Sequence, residues 1–164
     1  MGSAVLDEPD SLILRQPRQE EAAELRDLCV RSKASWGYDE AFLEQCRPSL
    51  GLDMDLAREG LAVVADLGGR PAGVAQILVR RPGAELDLLF VEPAAFGRSV
   101  GSTLLGWACR TARSRGAATL RILSDPGARE FYLRHGAQLV GDVPSDIVPG
   151  RRLPLMVVHL LEPA

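Results

Sequence analysis

The segment from residue 84 to residue 123 constrains the fold more than any other part of the chain. Its two ends, residues 84–91 and 118–123, are rich in apolar and β-branched side chains, and each predicts a strand. Between them, Val100 to about Arg115 places apolar side chains at helical spacing, and Gly116 is suited to ending a helix. Two strands joined by a helix form a crossover, and within one sheet such a crossover is right-handed and connects parallel strands. The two strands are therefore predicted to be parallel.

Small residues are concentrated in the loop that leads into this helix, Phe96–Ser102. Glycine and serine leave backbone N–H groups accessible to an anion, and the helix start adds unpaired N–H groups and the positive end of its dipole. The loop therefore predicts a phosphate-bearing ligand; the alternative is that its small residues only allow tight packing. The candidate phosphate-binding residues are Gly97, Arg98, Ser99, Val100, Gly101 and Ser102.

Two well-known phosphate-binding motifs do not match this loop. A P-loop requires Lys followed by Ser or Thr after its second glycine, and no lysine follows Gly101. A dinucleotide-binding fold has its glycines at the first strand–helix turn, whereas several strands are predicted before Phe96–Ser102. Both classes of nucleotide-binding protein are therefore excluded.

The remaining elements complete one mixed α+β domain at residues 11–164, after a loose N-terminus at residues 1–10. Gly68-Gly69 between two β-branched runs predicts a hairpin, and Asp39 is placed to cap a short helix. The other predicted elements are a strand at 11–17, helices at 19–33 and 39–46, strands at 61–66 and 72–79, a short helix between Asp125-Pro126 and Gly136, and two strands within 137–161.

Composition and charge exclude several classes of protein. The net charge is −3 and basic residues are scattered, so neither a nucleic-acid-binding surface nor a membrane-binding patch is predicted. No apolar run approaches the roughly 20 residues that cross a bilayer. Three cysteines without a CxxC pair predict free thiols and a cytoplasmic location, and two isolated histidines predict no metal site.

Two motifs make residues 84–141 resemble the core of the GCN5-related N-acetyltransferase (GNAT) family. The family pattern Gln/Arg-x-x-Gly-x-Gly/Ala lies over Phe96–Gly101, with Phe96 replacing the polar residue and Ser99 replacing the usual glycine. The second motif, Asp125–Gly136, contains a Phe-Tyr pair ahead of a helix-ending glycine. The order of the earlier strands also matches, so the resemblance covers most of the chain.

The resemblance implies the acyl-CoA N-acyltransferase fold, a mostly antiparallel central sheet with one parallel, splayed strand pair and flanking helices. It implies acetyl-CoA (coenzyme A) as cofactor, wedged between two strands that stop pairing near Val91, with its pyrophosphate on the small-residue loop. The pantetheine arm would pair with backbone groups of Leu89, Phe90 and Val91, as an added strand does. Asp125 is assigned to the same cofactor site.

The catalytic residues follow from the same resemblance. Acyl transfer to an amine needs a proton for the departing thiolate and a base for the amine. Tyr132 matches the family position whose phenol often protonates the sulfur; the alternative is a buried aromatic with a hydrogen-bonded hydroxyl. Glu85 and Asp87 share one strand face and match catalytic or water-positioning side chains in several relatives. Glu85 is placed first, and the alternative is that both carboxylates are solvated.

Candidate acceptor-binding residues lie between the first two helices. Trp36 and Tyr38 occupy the region where the family builds its acceptor pocket, and they would hold an amine's hydrocarbon part or its charge. Ordinary packing is the alternative for both. Arg151 and Arg152, near a predicted turn, would meet a carboxylate or lie in solvent. His135 is expected to complement a helix C-terminus.

The sequence thus predicts an N-acetyltransferase that moves an acetyl group from acetyl-CoA to a primary amine, on a small molecule or a peptide, by direct attack in a ternary complex. One alternative is a non-catalytic acyl-CoA-binding sensor, which would need neither Tyr132 nor a nearby carboxylate. Another is an interaction domain in which Phe96 and Ser99 have closed the cofactor wedge. The resemblance also allows a homodimer formed through the C-terminal strands.

Overall fold

The computed structural model describes residues 11–160, which form one seven-stranded sheet with helices on both faces. The strands are β1 (Leu12–Arg15), β2 (Ala62–Leu67), β3 (Arg70–Arg80), β4 (Gly83–Val91), β5 (Thr119–Leu123), β6 (Gln138–Pro144) and β7 (Arg152–His159). The helices are α1 (Ala22–Ala34), α2 (Glu40–Cys46), α3 (Met54–Arg58), α4 (Val100–Ser114) and α5 (Arg129–Arg134). The predicted loose N-terminus, residues 1–10, lies outside the described residues, as do residues 161–164.

The sheet has the strand order β1-β2-β3-β4-β5-β7-β6. Neighbouring strands are antiparallel except β4 and β5, which are parallel and are connected by α4. The parallel pair that the crossover predicted is therefore confirmed. So is the predicted fold class, a mixed α/β fold with a mostly antiparallel sheet and flanking helices.

Helix α4 packs closely against the sheet because β3 has a glycine at the point of contact. A Cβ atom at Gly73 would lie 2.8 Å from Leu104 Cδ1 and 2.9 Å from Val100 Cγ1. Successive residues of a strand point to opposite faces of the sheet. Helices α1 and α2 cover the face opposite α4. The core residues on that second face are Leu25, Cys29, Cys46, Leu50, Val64 and Val74.

Most predicted boundaries are confirmed. Asp39 caps α2 by accepting a hydrogen bond from the Phe42 N–H (2.8 Å), and Gly116 follows α4 with φ of +86°. The sequence missed α3, whose five residues are too few to show helical periodicity, although Asp53 caps it through the Asp55 N–H. The short helix after Asp125 is split into a 3₁₀ turn, Pro126–Ala128, and α5.

Among residues 11–160, no helix has the length and apolar character needed to span a bilayer. Cys29, Cys46 and Cys109 are all free thiols, and burial raises the pKa of Cys29 to about 12. Cys29 thus acts as a small apolar core residue rather than as a nucleophile.

Candidate active site

The parallel strands β4 and β5 stay paired over only three residues. The pairs are Ala84–Leu120, Glu85–Arg121 and Leu86–Ile122, after which β4 continues beside β3 and β5 beside β7. Pairing was predicted to continue to about Val91 and ends five positions earlier. A bulge explains the difference, because Asp87 has no partner in β3 and an extra residue bends its strand. A gap therefore opens between the two halves of the sheet.

In β4, the backbone N–H and C=O groups of every second residue face this gap. The Glu92 N–H donates to a carbonyl on the β3 side (2.7 Å), whereas the Val91 N–H donates to Ser32 Oγ (3.3 Å) on the other side. Because neighbouring residues in a strand direct their backbone groups to opposite sides, Leu89 faces the gap with Val91. Phe90 was also predicted to offer its backbone to a ligand, but its N–H and C=O face β3.

The small-residue loop turns sharply to enter α4. Gly97 has φ of +81°, and Ser99, the residue before the helix, has φ of +61° and ψ of +18°. The Ser99 carbonyl accepts hydrogen bonds from the Thr103 N–H (3.1 Å) and from the hydroxyls of Ser102 and Thr103. This carbonyl therefore anchors the helix start, where the first N–H groups have no intrahelical acceptor.

A cavity of about 620 Å³ joins the loop to the gap and continues to the end of α1 and to the β6–β7 connection. The side chain of Phe96 is half exposed at this cavity. Predicted site residues that line it are Trp36, Asp87, Leu89, Phe90, Val91, Gly97, Ser99, Val100, Gly101, Ser102, Asp125 and Tyr132. Within residues 11–160, the predicted residues Glu85, Tyr38 and Arg98 are not part of its wall.

Tyr132 lies in the wall with only 6% of its surface exposed. Its ring packs edge-to-face on Phe131, with the centroids 5.1 Å apart, and Phe131 in turn lies against Gly101. Among the described residues, none forms a hydrogen bond with the phenol. Burial, with a smaller contribution from the charge of Asp125, raises the pKa of Tyr132 above its ordinary value. The phenol is therefore protonated at neutral pH and free to donate into the cavity.

Asp87 and Glu85 have different surroundings. Gln76, which is buried, donates from Nε2 to Asp87 Oδ2 (2.7 Å) and accepts from the Asp53 N–H through Oε1 (2.7 Å). This chain of hydrogen bonds holds the Asp87 carboxylate at the cavity wall. Glu85 instead lies 3.9 Å from Arg121 Nη1 in a partly exposed ion pair on the neighbouring strand.

Asp125 is the centre of a polar cluster that consists of Lys33, Tyr38, Asp125 and Arg151. Its Oδ1 accepts from the Gly127 N–H (3.0 Å), and its Oδ2 accepts from the Tyr38 hydroxyl (2.7 Å). Arg151 Nη2 lies 3.3 Å from the same Oδ2 and also donates to the Tyr38 hydroxyl, while Lys33 Nζ lies 3.6 Å away. Both carboxylate oxygens are thus held by protein groups.

The two predicted acceptor-binding aromatics take different positions. Trp36 is 47% exposed and lines the cavity, lying over Gly127, where a Cβ atom would come within 2.6 Å of the ring. Tyr38 stands behind the wall in the polar cluster, and burial together with its hydrogen bond to Asp125 raises its pKa to about 12. Tyr38 therefore positions cavity residues instead of facing the cavity itself.

Sequence reasoning did not single out Lys33, and it left Arg151 either to meet a carboxylate or to lie in solvent; Arg151 meets the carboxylate of Asp125. Arg151 is 113 positions from Tyr38 in sequence, and no local pattern indicates that the two meet. Its neighbour Arg152 fits the solvated alternative, since it pairs with the exposed Asp142. His135 donates from Nδ1 to the Phe131 carbonyl (2.7 Å) at the end of α5, as expected. Residues 11–160 contain no cluster of three metal-ligating side chains.

Comparisons with known proteins agree with this geometry. A sequence comparison with curated proteins finds no significant match. Among solved structures, a GCN5-related N-acetyltransferase from Rhodopseudomonas palustris is 26% identical, with a TM-score of 0.74, over 92% of this chain and 96% of that one. PaiA N-acetyltransferase from Thermoplasma acidophilum, solved with coenzyme A, is 17% identical, with a TM-score of 0.74, over 91% and 99%.

A third similar structure is YncA from Salmonella typhimurium, solved with acetyl-CoA. It is 20% identical, with a TM-score of 0.66, over 94% of this chain and 96% of that one. The model of the acetyltransferase (GNAT) family matches residues 22–137, which include the gap, the loop and Tyr132. The chain therefore belongs to the GNAT acetyltransferase family.

Proposed function

We propose that this protein transfers an acetyl group from acetyl-CoA to a primary amine by direct attack in a ternary complex. The gap between β4 and β5 carries the proposal, because it connects a helix start suited to phosphate with a protonated phenol and a positioned carboxylate within one cavity. Membership of the family and the neighbours solved with coenzyme A or acetyl-CoA support the same conclusion.

The residues present fit such a cofactor. The backbone amides at the start of α4 suit a pyrophosphate, since the first N–H groups of a helix have no intrahelical acceptor. Within the stretch 97–102 the Arg98 N–H is already used, because it donates to the Ala95 carbonyl (3.3 Å). The gap-facing backbone groups of Leu89 and the carbonyl of Val91 suit the amides of a pantetheine arm, which would add to β4 as a strand does. The Val91 N–H is already bonded to Ser32 Oγ. Phe96 cannot donate a side-chain hydrogen bond, so binding at the loop depends on main-chain groups.

When bound, acetyl-CoA supplies a thioester carbonyl to an attacking amine. In the proposed reaction Tyr132 gives its phenolic proton to the departing thiolate, and Asp87 accepts the proton that the amine loses, directly or through a water. A new C–N bond forms as the C–S bond breaks, and proton exchange with solvent restores both side chains. The raised pKa of Tyr132 keeps the proton available for this step.

Asp87 replaces Glu85 as our first choice for the base. Asp87 lines the cavity and is oriented by Gln76, whereas Glu85 is paired with Arg121 away from the wall. A base must come within hydrogen-bonding reach of its proton, so position decides between the two carboxylates.

A non-catalytic acyl-CoA sensor is the second candidate. A sensor requires the loop and the gap but has no use for an acid and a base on the same wall. Tyr132 and Asp87 both line this cavity, which favours the enzyme. A cytoplasmic location, a single acetyltransferase domain over residues 11–164 and a homodimer through β6 and β7 stay predictions.

Calorimetry and a thiol-release assay test the proposal. Coenzyme A is expected to bind, and acetyl-CoA is expected to release thiol only when an amine is added. Tyr132→Phe should lower kcat about a hundredfold or more, the range typical of a lost general acid, with an unchanged Kd for coenzyme A. No binding at millimolar coenzyme A would contradict both candidates, and full turnover by Tyr132→Phe would contradict the acid role.

A further inference from the structure

The polar cluster around Asp125 holds more positive charge than its own carboxylate balances. Lys33 and Arg151 are two cations, and Asp125 is the single anion in contact with them among the described residues. The side chains are 14%, 19% and 14% exposed for Lys33, Arg151 and Asp125 respectively. One unit of positive charge is therefore left over at a largely buried part of the cavity, where solvent screens it weakly.

Lys33 and Arg151 also have N–H groups that no described residue accepts. Lys33 Nζ has no acceptor within hydrogen-bonding distance among residues 11–160; its nearest carboxylate oxygen is 3.6 Å away, and it lies 5.5 Å from the ring centroids of Tyr38 and Phe42. Arg151 uses only Nη2 for its bonds to Tyr38 and Asp125. Both side chains line the cavity, so their remaining N–H groups are available there.

Asp125 already accepts three hydrogen bonds, from Gly127 at Oδ1 and from Tyr38 and Arg151 at Oδ2, which leaves it little capacity for the remaining donors. The other carboxylate in the wall, Asp87, is held by Gln76. An incoming anion is the group that would satisfy the cluster. A carboxylate matches it best, since it carries one negative charge and two acceptor oxygens that a guanidinium and an ammonium bind well.

We propose that the acetyl acceptor carries a carboxylate as well as its amine, and that Lys33 and Arg151 bind that carboxylate. The inference rests on the proposed acetyl transfer and names its substrate class: amino acids, short peptides with a free C-terminus, or similar amino-carboxylates. Trp36, which lines the cavity beside Gly127, would contact the hydrocarbon part of such a molecule. Lys33 is the only lysine in the chain, so its replacement removes the one ε-ammonium group of the protein.

Paired ligands test the inference without requiring turnover. Glycine, β-alanine, γ-aminobutyrate and dipeptides are compared with their own carboxamides for binding to the coenzyme A-loaded protein by calorimetry, and then as acceptors in thiol release. At least one acid should bind about tenfold or more tightly than its amide, as expected for hydrogen bonds to charged groups. The inference would be wrong if, in every pair, the carboxamide bound as tightly as its acid.

Variants separate recognition from structural support. Arg151→Gln and Lys33→Met should each bring the acid-to-amide ratio towards one, while Arg152→Gln, a neighbouring exposed arginine, should keep the wild-type ratio. A merely structural cluster would lower the Tm of the first two variants and leave the ratio intact, which would refute recognition. If Arg151→Gln fails to fold, Lys33→Met decides. Acid-selective binding without thiol release would support carboxylate recognition and contradict the transferase.

Discussion

Asp87 owes its position to one extra residue in β4. The bulge leaves Asp87 without a partner in β3, and the buried Gln76 then holds its carboxylate at the cavity. The sequence predicted that Glu85 and Asp87 share a strand face, because side chains alternate between faces every two residues. That alternation cannot reveal a bulge, which interrupts it. The sequence ranked Glu85 ahead of Asp87, whereas the cavity geometry favours Asp87. Tyr132 was predicted from its motif alone, and it lies in the cavity wall beside Phe131 of the same motif; its role as the acid stays a prediction.

The two carboxylates should respond differently to neutral substitutions. Asp87→Asn removes the proposed base and is expected to lower kcat about a hundredfold, with the greatest loss at low pH, where free amine is scarcest. Glu85→Gln removes only a partly exposed ion pair and should change kcat less than twofold. Thiol release across pH measures both, and equal losses in the two variants would contradict the assignment of Asp87.

The residue immediately before α4 has an unfavourable backbone conformation. Ser99 adopts the left-handed region with φ of +61°, a conformation that costs most L-residues about 1–2 kcal/mol. The family pattern has glycine there, and the sequence alone shows the departure. What the sequence does not show is that the Ser99 carbonyl collects hydrogen bonds from Ser102 and Thr103, which fixes the turn despite the strain.

Ser99→Gly is therefore expected to raise the free energy of unfolding by about 0.5–1 kcal/mol, after the greater flexibility of unfolded glycine is subtracted. Arg110→Gly is the control, since Arg110 is exposed in the interior of α4, away from the Ser99 turn. It should lower the free energy of unfolding by about 0.5–1 kcal/mol. Urea unfolding measures both changes. Destabilisation by Ser99→Gly would show that the Ser99 side chain contributes more than its backbone conformation costs.

Across the whole molecule, the sheet consists of two halves, β1–β4 and β5–β7–β6, that share three residue pairs. The polar cluster links the two sides of the cavity, since Lys33 and Tyr38 lie at the end of α1 and just beyond it, and Arg151 lies before β7. The parallel pair and its crossover could be predicted from the order of strands and helix. The cluster could not, because its members are far apart in sequence and none belongs to a motif that specifies the others.

High pH should weaken the fold through this cluster. Burial and the hydrogen bond to Asp125 raise the pKa of Tyr38 from 10.0 to about 12, so the unfolded chain releases this proton first. The stabilising contribution of Tyr38 to the free energy of unfolding is therefore fully present below pH 10 and is lost as the pH rises from 10 to 12. Tyr38→Phe should make that fall shallower in urea unfolding, and an unchanged pH profile would contradict the raised pKa.

The short pairing between β4 and β5 also has a consequence for how long the protein would survive in a cell. A molecule bound in the gap would contact both halves of the sheet and, by binding only the folded state, would stabilise that state by mass action. Unfolded chains are the ones that proteases remove. On the proposed function, the abundance of this protein would follow the supply of acetyl-CoA, and starvation for that donor would shorten the lifetime of the protein.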